Sequence, residues 1–263
     1  MSFIRTAFLE PLKKSFTDFF SFISFSIEIL IATGKIWSRW SVNATVIMRQ
    51  ILFTGVEALS LVTFIALAIG GLIILQGYNL LSTFVQGSWV HMILVTVVIR
   101  ELSSIFTALI VIARSGTAIS TELGNMVVNK EIDLLKSLNI SPLTYLVASR
   151  VTGVMVAMFI LTIYFNIAAV LGGYLFSSIF SRINFSSFIN GFVSTLKVAD
   201  LGVSAIKSIV FGLIISLISC YQGFQVKDAP TEVPQRTIKA VVHSIVYIIL
   251  ADVLITWLFY YFS

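Results

Sequence analysis

Charge is scarce in this chain. Of 263 residues, 11% are Asp, Glu, Lys or Arg, while 58% are hydrophobic. Soluble domains carry about 25% charged residues. So small a polar supply cannot cover a water-facing surface, which excludes an ordinary soluble domain. Cys220 is the one cysteine. No intrachain disulfide can form, and its apolar neighbours make it a packing residue. Histidine occurs twice, with no His-Glu-x-x-His pair, so a zinc intramembrane protease has no support. There is no Gly-x-x-x-x-Gly-Lys loop followed by Ser or Thr, so this chain does not hydrolyse ATP as a P-loop protein. A Gly-x-Ser-x-Gly elbow is missing as well. No catalytic residue, metal ligand or resident cofactor is expected. No internal repeat or low-complexity linker divides the chain.

What is present is a set of long apolar runs. Five of them are long enough to span a bilayer, at about 55–77, 91–113, 145–178, 202–224 and 238–262, since a spanning helix needs about 20 mostly apolar residues. Lipid offers no partner for a bare N–H or C=O, so each run is helical. The third run exceeds the usual length and either tilts or continues past the membrane surface. The expected fold is an all-α integral membrane protein. A permease domain over 55–263 follows N-terminal interfacial helices over 1–54.

That N-terminal stretch is amphipathic. Lys13, Lys14, Thr17, Asp18, Ser21 and Ser24 recur at steps of three or four between Phe16, Phe19, Phe20, Ile23 and Ile27. Such a helix suits the membrane interface. A second stretch sets Trp37, Trp40, Ile47 and Ile51 against Lys35, Arg39, Asn43 and Arg49. A signal peptide or a sixth span would also fit the Phe-rich run. Glu28 inside it counts against both.

The net charge of +5 would suggest nucleic acid in a soluble chain. Here it is read as topology, and no nucleic-acid partner is expected. With the N-terminus inside, the inner segments hold Arg5, Lys13, Lys14, Lys35, Arg39, Arg49, Arg114, Lys130, Lys136, Arg150, Lys227, Arg236 and Lys239. The outer segments hold only Arg182 and Lys197. The positive-inside rule then places the C-terminus outside, with Trp257, Tyr260 and Tyr261 as an aromatic belt.

Four charges fall within spans away from their inner ends. Arg100 and Glu101 lie near the middle of the second, and each costs about 2.5–3.5 kcal/mol on insertion scales. As helix neighbours they point about 100° apart and neutralise each other poorly. They belong either to a structural ion pair with another span or to a cavity for a charged headgroup. Lys207 either snorkels to the outer surface or reaches inward. Asp252 has too short a stem to snorkel and pairs across helices, with Arg100 or Lys207. His243 is on the opposite face of the last span, so a direct relay to Asp252 is not expected. Ser204, Ser208, Gly212 and Ser216 form a small-residue stripe that lets helices approach. It serves either the interior of one chain or a seam between two copies.

The connection between spans two and three carries a short charged helix. Asn129 is a candidate N-cap, Glu131 and Asp133 suit a helix N-terminus, and Asn139 and Pro142 mark the stop. It is an amphipathic surface helix or a coupling helix that docks into a partner.

Several separated motifs carry a family resemblance. Arg100-Glu101-Leu102 leads through Arg114-Ser115-Gly116-Thr117-Ala118-Ile119 and Glu122-Leu123-Gly124 to Glu131-Ile132-Asp133-Leu134-Leu135. Ser141-Pro142, Tyr145-Leu146-Val147 and Arg150-Val151 follow. Then come Lys207-Ser208-Ile209-Val210-Phe211-Gly212, Cys220-Tyr221-Gln222-Gly223 and Ala251-Asp252. In this order they resemble the permeases of the MlaE/YrbE type over roughly residues 50–262. The resemblance implies a homodimer in the bacterial inner membrane, served by a cytoplasmic P-loop ATPase that binds the ATP. A small STAS-domain protein often joins it, and a hexameric MCE-domain protein sits on the outer face. The assembly moves membrane lipids, phospholipids above all, between the inner membrane and the outer envelope. The resemblance makes Arg100, Glu101, Lys207 and Asp252 cavity candidates. It makes Arg114, Glu122, Glu131, Ile132, Asp133 and Leu135 coupling candidates, within helices at about 116–138. One departure is the stretch Lys227 to Arg236, where Pro230 and Pro234 replace the Gly-rich run of many members. Two other classes stay open: an ion-coupled secondary transporter built on the intramembrane charges, and a structural scaffold.

Overall fold

The computed structural model describes residues 21–31, 33, 40–81, 92–181, 184–227 and 229–262, with 40–46, 78–81, 181 and 262 described by backbone alone. Expectations for Arg5, Lys13, Lys14, Phe16, Thr17, Asp18, Phe19, Phe20, Lys35, Trp37, Arg39, Arg182 and most of the 78–90 loop fall outside the described residues. The described residues form helices and no strand. In order these are α1 (Ser21–Ile31), α2 (Trp40–Gly55), α3 (Leu59–Leu81), α4 (Leu94–Val128), α5 (Glu131–Ser137), α6 (Leu143–Phe180), α7 (Phe185–Thr195), α8 (Val198–Phe224) and α9 (Glu232–Phe262).

Five helices are long and apolar enough to cross a membrane: Ile47–Gly77, Leu94–Val128, Leu143–Phe180, Val198–Phe224 and Glu232–Tyr261. They match the five apolar runs, with longer ends. The first begins inside α2 and passes a single 3-10 turn, Val56–Ala58, into α3. The second runs well beyond residue 113. Charged and polar residues at its far end leave the apolar window but keep helical bonding.

Eleven of the described residues form helix α1, about 16 Å at 1.5 Å per residue. Its Phe22 and Phe25 meet the Tyr221 ring edge-on at 5.3 and 5.4 Å, and Phe25 also meets Phe224. The apolar face therefore docks on the end of α8, while Glu28 stays exposed.

The connection after α4 differs from the sequence reading. Asn129 caps the C-terminus of α4 instead of starting α5. Lys130, in the left-handed region at φ 62°, is the residue that opens α5. Asn129 does reach α5, donating from Nδ2 to Glu131 Oε1 at 3.3 Å. Asn139 ends the helix at φ 59°, a position that Asn tolerates better than other side chains.

Helix α6 is the axis of the bundle and packs on α2, α3, α4 and α8. Its contact with α3 is a backbone seam. A Cβ on Gly70 would strike the Ala169 carbonyl, and one on Gly172 would strike the Leu67 backbone. Only glycine allows that approach. The small stripe of α8 faces the same core. Ser204, Ser208, Gly212 and Ser216 are all buried, and a Cβ on Gly212 would sit 2.9 Å from the Met155 Cα. The stripe thus serves the interior of one chain. Helix α9 is different. Only 17% of its apolar window is buried, and it leans on α8 and α4 by one face.

Candidate functional site

Charged side chains of α4, α8 and α9 meet near one end of the bundle. Arg100 and Glu101 fall in the first third of α4, Lys207 in the first half of α8, and Asp252 in the last third of α9. The antiparallel course of the chain brings them to one level. Arg100 and Glu101 lie nearer the start of α4 than its middle, because α4 is longer than its apolar run, whereas Lys207 and Asp252 lie nearer the middle of α8 and α9 than their ends.

Lys207 is the centre. Its side chain is 0% exposed and its ammonium donates to Glu101 Oε2. Nζ also lies 2.8 Å from Asp252 Oδ1, as an ion pair without the alignment of a hydrogen bond. The snorkelling alternative is thereby overturned: two carboxylates draw the amine inward. Of the two partners open to Asp252, Lys207 is the one it takes. Thr256 donates its hydroxyl to Glu101 Oε2 at 3.2 Å. Asp252 and Thr256, four residues apart, share a helix face.

Arg100 is less well matched. Its Nε lies 3.6 Å from Glu101 Oε1, and Nη1 lies 3.8 Å from Asp200 Oδ1. Neighbouring residues on an α-helix would not meet even this loosely. Residues 94–102 are wound as a π-helix, however, and its wider turn reduces the angle between successive side chains. The guanidinium also lies 4.2 Å from the Phe259 ring centroid and 4.3 Å from that of Tyr260, both cation–π contacts. Nε and Nη2 have no hydrogen-bond partner although they are buried. A buried guanidinium with unspent donors is poised for an anion.

Asp200, Thr256 and Phe259 escaped the sequence reading, which named Tyr260 in the aromatic belt and not beside Arg100. Asp200 sits at the third position of α8 and accepts from the Lys197 backbone N–H at 3.2 Å, so it reads as a cap. Thr256 and Tyr260 continue the i, i+4 row begun at Asp252, and that row was the available signal. His243 is placed apart, with its Nδ1 3.2 Å from Gln222 Nε2.

The other candidates lie at the opposite end. Arg114 pairs with Glu57. Arg150 Nη2 lies 2.7 Å from Glu122 Oε1, an ion pair that ties α6 to α4. On α5, Glu131 and Asp133 are exposed, Ile132 is buried and Leu135 is half-buried. Asp133 lies 3.4 Å from Lys136. The outward apolar residues are Leu134, Leu138 and Ile140, at 61%, 62% and 39% exposed. They lie outside the helices long and apolar enough to cross a membrane.

A helical bundle with five candidate spans and a buried ion network defines a multi-pass membrane protein of the transporter class. Residues 47–258 match the family model described as Permease MlaE, and the chain belongs to that permease family. A probable ABC transporter permease protein of Rickettsia prowazekii is 33% identical over 90% of this chain and 91% of its own length. The intermembrane phospholipid transport system permease protein MlaE of Haemophilus influenzae is 25% identical over 95% of this chain and 96% of its own. The chloroplastic protein trigalactosyldiacylglycerol 1 of Arabidopsis thaliana is 34% identical over 61% of this chain and 46% of its own.

Proposed function

We propose that this chain is the permease subunit of an ABC transporter that moves lipids, phospholipids in the first place, between the inner membrane and the outer envelope of a bacterium. The observation that carries the reading is the buried guanidinium edge of Arg100, whose Nε and Nη2 make no hydrogen bond, inside an apolar bundle. Acyl chains suit the apolar walls, and a headgroup phosphate suits Arg100. Glu101, Lys207 and Asp252 hold that arginine's surroundings in place. Membership of the permease family and the phospholipid system of the Haemophilus relative support the substrate class.

The energy source in this reading is a separate cytoplasmic P-loop ATPase, which binds the ATP. The outward apolar row Leu134, Leu138 and Ile140, flanked by Glu131 and Asp133, supports α5 and the end of α4 as its docking surface. Ile132 and Leu135 face inward and seat α5 on the body, while Glu122 and Arg114 brace the same end through ion pairs. A second copy of the chain, a hexameric MCE-domain protein on the outer face and a small STAS-domain protein complete the assembly. The basic residues place the N-terminus and α5 in the cytoplasm and the C-terminus in the periplasm. The N-terminal region up to Ile47, where the first candidate span begins, serves as an interfacial segment ahead of the permease domain.

The test is affinity purification of the tagged chain from native membranes in mild detergent, followed by reconstitution. A stoichiometric P-loop ATPase with ATP-dependent lipid movement supports the reading. A chain that comes out alone and moves its substrate on a proton gradient would replace it with a secondary transporter.

A further inference from the structure

A second polar site lies at the basic end of the bundle. A cleft of about 330 Å³ opens between α2, the far end of α4 and the start of α6, and its lining includes Arg49, Phe53, Ile119, Glu122, Tyr145 and Arg150. Its volume is at the lower end of ligand pockets. Arg150 is 8% exposed, and its Nη1 is buried without a hydrogen-bond partner. Its Nη2 is held by Glu122 at 2.7 Å. Arg49 stands exposed on α2 across the cleft. Two guanidiniums against one carboxylate leave the cleft with an excess of one positive charge. A buried guanidinium nitrogen without a partner is costly, and the remedy nearest in chemistry is an anionic oxygen.

The surroundings choose the source of that anion. Arg49 and Glu122 lie outside the apolar runs at about 55–77 and 91–113, and Tyr145 opens the run at about 145–178. The cleft therefore sits at the polar margin of these runs. Phe53 and Ile119 offer an apolar wall beside the two cations. A wholly water-soluble anion has no use for that wall, whereas an amphiphile with a phosphate head matches both halves. Along α4 the cleft is 22 residues from Arg100, roughly 30 Å at helical rise, so it is separate from the charge network.

We infer that this cleft binds the phosphate headgroup of an anionic membrane lipid, which competes with Glu122 for Arg150. Binding there does not depend on the transport reading. It ties lipid composition to the Glu122–Arg150 bridge that holds the end of α4 to α6.

The experiment uses the full chain with Phe53→p-benzoylphenylalanine in nanodiscs of equal phosphatidylglycerol and phosphatidylcholine. Photocrosslinked lipid is read by mass spectrometry. Phosphatidylglycerol should be enriched about tenfold, because both heads carry a phosphate but the choline ammonium of phosphatidylcholine is repelled by the excess positive charge of the cleft. Arg150→Gln and Arg49→Gln should bring the ratio toward unity, and Glu122→Gln should raise it. Arg49 is exposed, so its variant keeps the test open where Arg150→Gln fails to fold. Equal labelling of the two lipids, or enrichment untouched by Arg49→Gln, overturns the site. Loss of enrichment with inorganic phosphate at millimolar concentration would assign the cleft to free phosphate and overturn the lipid.

Discussion

The Lys207 ammonium and the Asp252 carboxylate lie 2.8 Å apart across the boundary between α8 and α9, with the lysine wholly buried. No other ion pair joins α9 to the bundle among the described residues. Removing one partner of such a pair leaves a buried charge unmatched, at about 3–5 kcal/mol. Lys207→Met should therefore destabilise strongly, because Glu101 and Asp252 both lose their cation. Asp252→Asn should cost less, since Glu101 still holds Lys207. Thermal melting of the purified chain in detergent ranks the two, and equal melting temperatures would refute the central role of Lys207.

Arg100→Gln should abolish lipid movement while the complex still assembles. Its guanidinium makes loose ion contacts at 3.6 and 3.8 Å and cation–π contacts with Phe259 and Tyr260, so the loss of stability should stay at about 2 kcal/mol. Reconstituted transport alongside co-purification separates the two effects. Transport at the parent rate would exclude Arg100 from the substrate path.

Docking of the ATPase should respond to Leu134 and Leu138 more than to Ile132. Leu134→Asp and Leu138→Asp place charge on an outward apolar row and should cut co-purification several-fold with unchanged melting. Ile132→Ala removes a buried side chain and should lower stability by about 2–5 kcal/mol. Charge reversal at Glu131 should also weaken association. Full complex yield in the Leu134 and Leu138 variants would move the docking surface elsewhere.

Gly70→Ala should destabilise by about 1–3 kcal/mol, the range for overpacking, because its methyl meets the Ala169 carbonyl. Gly202→Ala is the control, since nothing lies within 4 Å of a Cβ there. The same melting assay reads both, and similar losses would show that α3 and α6 are not in backbone contact.

Topology is open to a direct labelling test. The native Cys220 is buried, so a new surface thiol is read against a silent background. A membrane-impermeant maleimide should reach Leu138→Cys only from the cytoplasmic side and Tyr261→Cys only from the periplasmic side. Labelling of both from one side would reverse the assignment.

The five spans were legible because hydrophobic run length alone decides them in lipid. Their ends were not, since α4 continues through Arg114 and Thr117 on backbone bonds that hydropathy does not register. The four intramembrane charges were legible as isolated costs within apolar runs. Their pairing was not, for two reasons. A π-helical stretch changes the angle between Arg100 and Glu101, and Lys207 could reach outward or inward with equal stem length. Asp200 looked like a cap and is one, and its second role beside Arg100 depends on tertiary approach. On α5 the exposed row Leu134 and Leu138 is spaced i, i+4, yet which leucines face outward depends on how Ile132 seats the helix.

The glycine seam between α3 and α6 has a mechanical consequence. Two backbones that already touch cannot slide past each other without a carbonyl striking a Cα, so these helices form a frame. Helix α9 has most of its apolar surface free and one ionic tie, and its outer face can travel in lipid at little cost. By burial α9 is the span held least by the rest of the chain, and the Lys207–Asp252 contact is its ionic tie to α8.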